Sequence, residues 1–303
     1  MQEAAASSNP GRKEQQILAA RVSILGSAVL FLISAIVGIA LDSITLILDA
    51  SASLVILIVA FLMYASIKKV HSPPDKFFNF GYEKYEPLTL VTQGILIIAT
   101  CLISIKFAIQ DIIHPDDVEH YGIPVLATFI SGFIGVFITG YLKKAARRTN
   151  SEMLKTARMH WFADTMLSFG VCAGFLSGLI LQRLGFSRIT PYVDPVMAIV
   201  LAVILIQMPI RMIAHNALEL LDSVPPGDIR SKVAKVVDEH KPRSFGVYRL
   251  RTRKAGERIF VDVCFIVKED LTVAQIQELA GSFERDFKAF FPVSDVVVYF
   301  KPR

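Results

Sequence analysis

The stretch ITLILDASASLVILIVAFLMYASI, residues 44–67, decides the class of this protein. It carries one charged side chain, Asp49, among Ile, Leu, Val, Ala and Phe, interrupted only by Thr, Ser, Met and Tyr. A helix crossing the ~30 Å hydrocarbon core of a bilayer needs ~20 predominantly apolar residues, and this segment is long enough. Working outward, the same test finds further segments at 17–40, 88–113, 123–142, 162–184 and 196–213. All six end before Asp222. The 303-residue chain is 53% hydrophobic and 19% charged, against about 45–50% and 25% in soluble domains, and these segments hold the excess. The expected fold is an α-helical membrane domain of six transmembrane helices over 17–222, with a disordered cytoplasmic tail at 1–16 and a cytoplasmic domain at 223–303.

The net charge of +5 is too mild to argue for a nucleic-acid partner. Cys101, Cys172 and Cys264 share no metal-type spacing and imply no disulfide framework. The tail lacks an apolar core and cleavage site, so it is not a signal peptide. Lys and Arg set the orientation. Arg12 and Lys13 precede the first segment; Lys68, Lys69, Lys76 and Lys84 follow the second; the loop after the fourth holds Lys143, Lys144, Arg147, Arg148, Lys155 and Arg158. The opposite loops are poor in cations: 41–43 and 114–121 have none, and the third has Arg183 and Arg188. Both termini are therefore expected in the cytoplasm of an integral multi-pass protein. The basic loops suit anionic lipid headgroups.

Beyond Pro225–Pro226 the pattern changes. Residues 227–240 have helical periodicity, 244–253 and 258–268 alternate as strands around a turn at 254–257, 273–290 is an amphipathic helix, and 296–300 is an apolar strand. The order α-β-β-α-β fits a small sheet covered on one face by helices.

Ionisable groups inside a membrane are costly and mark functional sites by default. Asp49 lies one helical turn from Thr45 and Ser53, with Ser51 nearby; His160 and Asp164 lie four apart, which stacks imidazole and carboxylate on one helical face. Two such groups plus a carboxylate from a facing helix can bind a divalent cation through N and O. The same residues could instead form a structural His–Asp pair, and the serines could serve packing.

The ordered set FGYEKYEP at 80–87, His160-x-x-x-Asp164, Asp194-Pro195, LLDSVP at 220–225 and LRTR at 250–253 resembles the cation diffusion facilitator family over nearly all of residues 12–303. The resemblance implies a homodimeric secondary antiporter that exports divalent metal, commonly zinc, from the cytosol against protons. It also implies a metallochaperone-like (ferredoxin-like) cytoplasmic domain and a charge pair between Lys84 and Asp222 that interlocks the dimer. Taken with this resemblance, the lack of a long His-rich loop at 149–158 favours a bacterial plasma (inner) membrane. No enzyme activity and no resident cofactor are expected, and no catalytic Ser/His/Asp set, phosphate loop or carboxylate pair occurs outside the spans.

The chain departs from that family in three places. Counted without gaps from Phe80-Gly81, the two ligand positions of the second span fall on Ala52 and Ile56, which cannot bind metal. Phe78 and Tyr82 stand where relatives place a peripheral histidine site. Tyr248, Cys264, Gln277 and Tyr299 stand where the cytoplasmic domain of relatives holds metal, so no metal is expected there. The surviving transport site is Asp49, His160 and Asp164, completed by Ser53 or water and displaced outward by about one turn. It is oxygen-rich, which favours manganese, iron(II), cobalt or magnesium while still admitting zinc. His160 and Asp164 are the expected proton carriers. Two other readings are a transport-inactive scaffold or sensor, motivated by Ala52 and Ile56, and a secondary transporter for another, even monovalent, cation.

Overall fold

The computed structural model describes residues 10–40, 44–114, 122–183, 190–241 and 245–303. Expectations that fall on 1–9, 41–43, 115–121, 184–189 and 242–244, Arg188 among them, lie outside the described residues. Long helices stand where the apolar segments are: α1 (Pro10–Ala40), α2 (Ile44–Val70), α3 (Tyr85–Ile113), α4 (Gly122–Thr149) and α5 (Glu152–Arg183), followed by α6 (Thr190–Leu205) and α7 (Gln207–Leu220). Among the described residues four are long and apolar enough to cross a membrane: 11–37, 53–70, 85–113 and 125–149. The chain is thus an integral membrane protein.

Element ends differ from expectation at several places, and three of the differences have a clear physical reason. The tail ends sooner, because α1 begins at Pro10; proline suits a first helical turn, where its missing N–H costs nothing. The basic loop after the fourth segment is helix almost throughout. Chain reversal takes only Asn150 and Ser151, with Asn150 in the left-handed region at φ 48°, where Asn is better tolerated than most residues. The sixth segment is broken at Ile206, since Pro209 has no N–H for the Leu205 carbonyl and its ring crowds that carbonyl.

The chain divides into two units. Among the described residues, one lies within 10–71 and 89–214. Here α1 packs on α2 and α4, and α5 packs on α4 and α6. Its core holds Leu30 of α1, Ile56, Met63 and Ile67 of α2, Leu142 of α4 and Trp161 of α5. Trp161 is 1% exposed, and its indole Nε1 donates to Ser23 Oγ of α1 at 2.7 Å. Close approach is possible because Gly26 faces Ile138 and Trp161, where a Cβ would collide.

The other described unit comprises residues 72–88 and 215–303. Its C-terminal part runs α8 (Gly227–His240), β1 (Gly246–Ala255), β2 (Arg258–Val267), α9 (Val273–Phe290), β3 (Ser294–Pro302). The sheet order is β1-β2-β3, antiparallel then parallel. Alternation along β2 turns Val261, Val263 and Phe265 onto Val233 and Val236 of α8 and Phe283 and Phe287 of α9, all essentially inaccessible. A capping box, Thr272 with Gln275, starts α9. Gly256, at φ 59°, makes the β1–β2 turn.

Candidate functional site

Helix α5 carries both histidine and aspartate of the expected site. Trp161 and Thr165 set its rotation: Trp161 is tied to Ser23, and Thr165 packs against Gly135 of α4 while its hydroxyl donates to the Trp161 carbonyl at 2.6 Å. One residue turns a helix by about 100°, so His160 and Asp164 lie on a face beside the one spent on packing. His160 Nε2 is buried and, among the described residues, has no hydrogen-bond partner. Leaving such a group unsatisfied costs about 1–3 kcal/mol, a cost expected at a site that binds something. Asp164 is half-buried and engaged in a polar interaction of its own.

On α2, Ser53 is 6% exposed and shares a helical face with Ile56, which is 8% exposed inside the apolar core. Asp49 lies on α2 one turn before Ser53, and its side chain lies outside the described residues, as does that of Ala52. Among the described residues no three His, Cys, Asp or Glu side chains converge to hold a metal. His160 and Asp164 stand one turn apart on α5, and the structure tests neither their joint binding of a cation nor a part for Asp49.

The places where histidines would sit in the resembled family are taken by other chemistry. Tyr82, 3% exposed, donates its hydroxyl to Asp75, whose other oxygen accepts from the backbone N–H of Phe77 and Phe78 at 2.9 Å. Phe78, Tyr82 and Tyr85 pack ring on ring. On the sheet, Cys264 is buried and Lys301 lies 4.0 Å from the centre of the Tyr248 ring. His240 is tied at both nitrogens, Nδ1 to the Val236 carbonyl at 2.9 Å and Nε2 to Asp286 at 3.4 Å.

Lys84 and Asp222 lie 3.1 Å apart within the chain. Helix α7 ends in a Schellman arrangement, Ser223 N–H to Leu218 O at 3.0 Å and Asp222 N–H to Glu219 O at 3.2 Å, with Asp222 left-handed at φ 59°. That turn aims the carboxylate at Lys84 and at Arg253 of β1, which donates to both its oxygens at 3.1 and 3.2 Å. Sequence reading missed the rest of this cluster. Glu219 accepts from Gly256 N–H at 2.6 Å and from Lys254 at 3.2 Å; Glu83 pairs with Arg258 at 2.8 Å; the Arg253 guanidinium lies 4.4 Å from the centre of the Phe260 ring. The signal lay in the quoted motifs, since Glu83 is in FGYEKYEP and Arg253 in LRTR.

Burial would raise the Asp222 pKa, but hydrogen bonds and charge from Lys84 and Arg253 outweigh it and hold the carboxyl below its usual range. A depressed carboxyl adds stability above its unfolded pKa of ~3.9 and loses it as pH falls through the folded value. Asp222→Asn is therefore expected to unfold more easily than the parent at neutral pH, by up to about 1 kcal/mol for so exposed a pair. The two unfolding curves should merge in acid, below the carboxylate range; a gap that widened there would contradict the assignment.

Residues 20–221 match the family model described as the cation efflux transmembrane domain, and residues 225–303 match the one described as cation efflux protein, cytoplasmic domain. The chain is similar to the cation-efflux pump FieF of Klebsiella pneumoniae (strain 342), 25% identical over 230 residues that cover 76% of this chain and 74% of that protein. FieF of Escherichia coli (strain K12 / DH10B) matches with the same identity and coverage. A solved chain of CzrB in its zinc form is 26% identical, covering 27% of this chain and 92% of that one, with a TM-score of 0.25.

Proposed function

This chain belongs to the cation efflux family, and from that premise we propose that it exports divalent metal cations from the cytosol in exchange for protons. The observation that carries the reading is His160 Nε2, buried on α5 with no hydrogen-bond partner among the described residues and one turn from Asp164. The name of the FieF relatives, cation-efflux pump, supports the direction of transport. The working unit is a homodimer of six-span chains in a bacterial inner membrane, with both termini cytoplasmic.

Metal from the cytosol takes the imidazole lone pair and the Asp49 and Asp164 carboxylates, displacing protons from them; Ser53 or water completes the shell. Protons arriving from the opposite side titrate the same groups and release the metal. An imidazole nitrogen can hold either a proton or a metal on the same lone pair, so His160 suits both steps. Oxygen donors outnumber nitrogen and no thiolate is present, which favours manganese, iron(II) or cobalt over tightly held zinc.

Asp49→Ala is the sharpest test of the displaced site. With purified protein in liposomes loaded with a metal-sensitive dye, flux should fall by more than about tenfold, since α2 supplies no second carboxylate. Normal flux would remove Asp49 from the site. The apolar burial of Ile56 motivates a second reading, a transport-inactive scaffold, which requires no flux from the parent protein either.

A further inference from the structure

The outward face of α4 is largely uncovered by the described chain; of its ridge, Phe129 meets Phe169 of α5, with ring centroids 6.4 Å apart. Ile138, Leu142, Ala145 and Ala146 turn inward and are buried. On the opposite side Phe129, Phe133, Phe137 and Tyr141, each four residues from the last, form a ridge 37–65% exposed. Neighbouring rings touch, with centroids 6.5 Å apart for Phe129–Phe133 and 5.1 Å for Phe133–Phe137. The same face continues toward the helix end as Lys144 and Arg148, flanked by Lys143 and Arg147, all exposed. Arg12 of α1 adds a further cation there, donating from Nε to the Thr149 carbonyl at the end of α4.

Gly140 lies on this face between the rings and the cations. Glycine weakens a helix interior, and Gly26, Gly132 and Gly135 have close neighbours that account for them. A Cβ at Gly140 would meet nothing within 4 Å. The residue leaves a notch one turn from Phe137 and one turn from Lys144 that no part of the described chain fills.

We propose that an anionic phospholipid occupies this face. Its phosphate is held by Lys144 and Arg148, its glycerol sits in the Gly140 notch beside Tyr141, and an acyl chain lies along the phenylalanine ridge. Tyrosine at headgroup depth with cations beyond it is the arrangement that membrane–water interfaces favour, and basic groups at that depth attract anionic headgroups. Charge argues against a second copy of the chain on this face. Two parallel copies meeting through the ridge would bring Lys143, Lys144, Arg147 and Arg148 of both to the same depth, where like charges repel. Free phosphate would have no use for the ridge.

The test is native mass spectrometry of the full chain released from nanodiscs holding equal amounts of phosphatidylglycerol and phosphatidylcholine. The parent should retain phosphatidylglycerol over phosphatidylcholine by roughly tenfold or more. Lys144→Gln with Arg148→Gln should remove most of that preference. Gly140→Leu leaves every charge in place and guards against misinsertion of the charge variant; it should also lower lipid retention. Millimolar inorganic phosphate should displace nothing. Equal retention of the two lipids by the parent would overturn the proposal. So would displacement by phosphate, or a Gly140→Leu variant that changes the oligomeric state while keeping its lipid.

Discussion

His160→Ala is expected to abolish divalent-cation flux, by at least about 100-fold, while leaving the protein as stable as the parent or more so. The two outcomes come from one atom. His160 Nε2 is buried with no hydrogen-bond partner among the described residues, so its removal relieves an unsatisfied polar group and forfeits no bond. As the one nitrogen donor of the proposed site its loss is severe, since even residues that only support a ligand change metal affinity 10–100-fold. Flux in liposomes, measured beside thermal unfolding of the same preparation, separates this from a structural role. A structural histidine would lower stability and flux together. Asp164→Asn should show the same loss of flux, because it keeps the shape of the side chain and removes the charge that a cation needs.

The second large effect concerns the position where typical relatives hold a ligand. Restoring a carboxylate by Ile56→Asp is expected to destabilise the protein by about 3–4 kcal/mol and to leave transport no better. Ile56 is 8% exposed in a cluster with Leu30, Met63 and Trp161. On insertion scales an aspartate at the centre of a membrane helix costs about 2.5–3.5 kcal/mol, where isoleucine gains a few tenths. Polar groups to offset this are scarce: Ser53, one turn away on the same face, offers a single hydroxyl, and in the same core the Trp161 indole is already bonded to Ser23. Improved flux in Ile56→Asp with unchanged stability would mean that α2 presents this position to the metal, and that the displaced site is wrong.

These expectations show which parts of the molecule can be read from sequence. Window hydropathy located α1 to α4 because each holds a continuous apolar stretch long enough to cross a bilayer, and it caught α5 through the apolar run that follows Asp164. It could not see the interruption at Ile206, since one proline changes mean hydropathy little while removing a hydrogen bond and crowding Leu205. Nor did it see that the cations of 143–158 lie on helices, because charge excludes a segment from the hydrocarbon but not from helical structure. In the C-terminal domain, residues 227–240 and 273–290 were legible to the residue from their apolar periodicity.

For the proposed site, what sequence could supply was spacing. The spacing of His160 and Asp164 placed them on one face of α5, and the helix is there. Trp161, which orients that face through Ser23, gave no local signal, because its partner lies in α1, far away in the sequence. The cluster of Glu219, Glu83, Arg258 and Lys254 was likewise hidden: charges scattered over four segments become neighbours only through the turn at Gly256.

The central claim is that a sparse site with one carboxylate on α2 still moves metal against protons. It is tested most directly with the parent protein in liposomes, by recording entry of manganese, iron(II), cobalt and zinc with and without an opposing pH gradient. The expected result is metal flux that a pH gradient of the right sign accelerates, together with proton movement in the other direction. Absence of flux for every divalent ion under both conditions, in protein that is folded and inserted, would contradict the account.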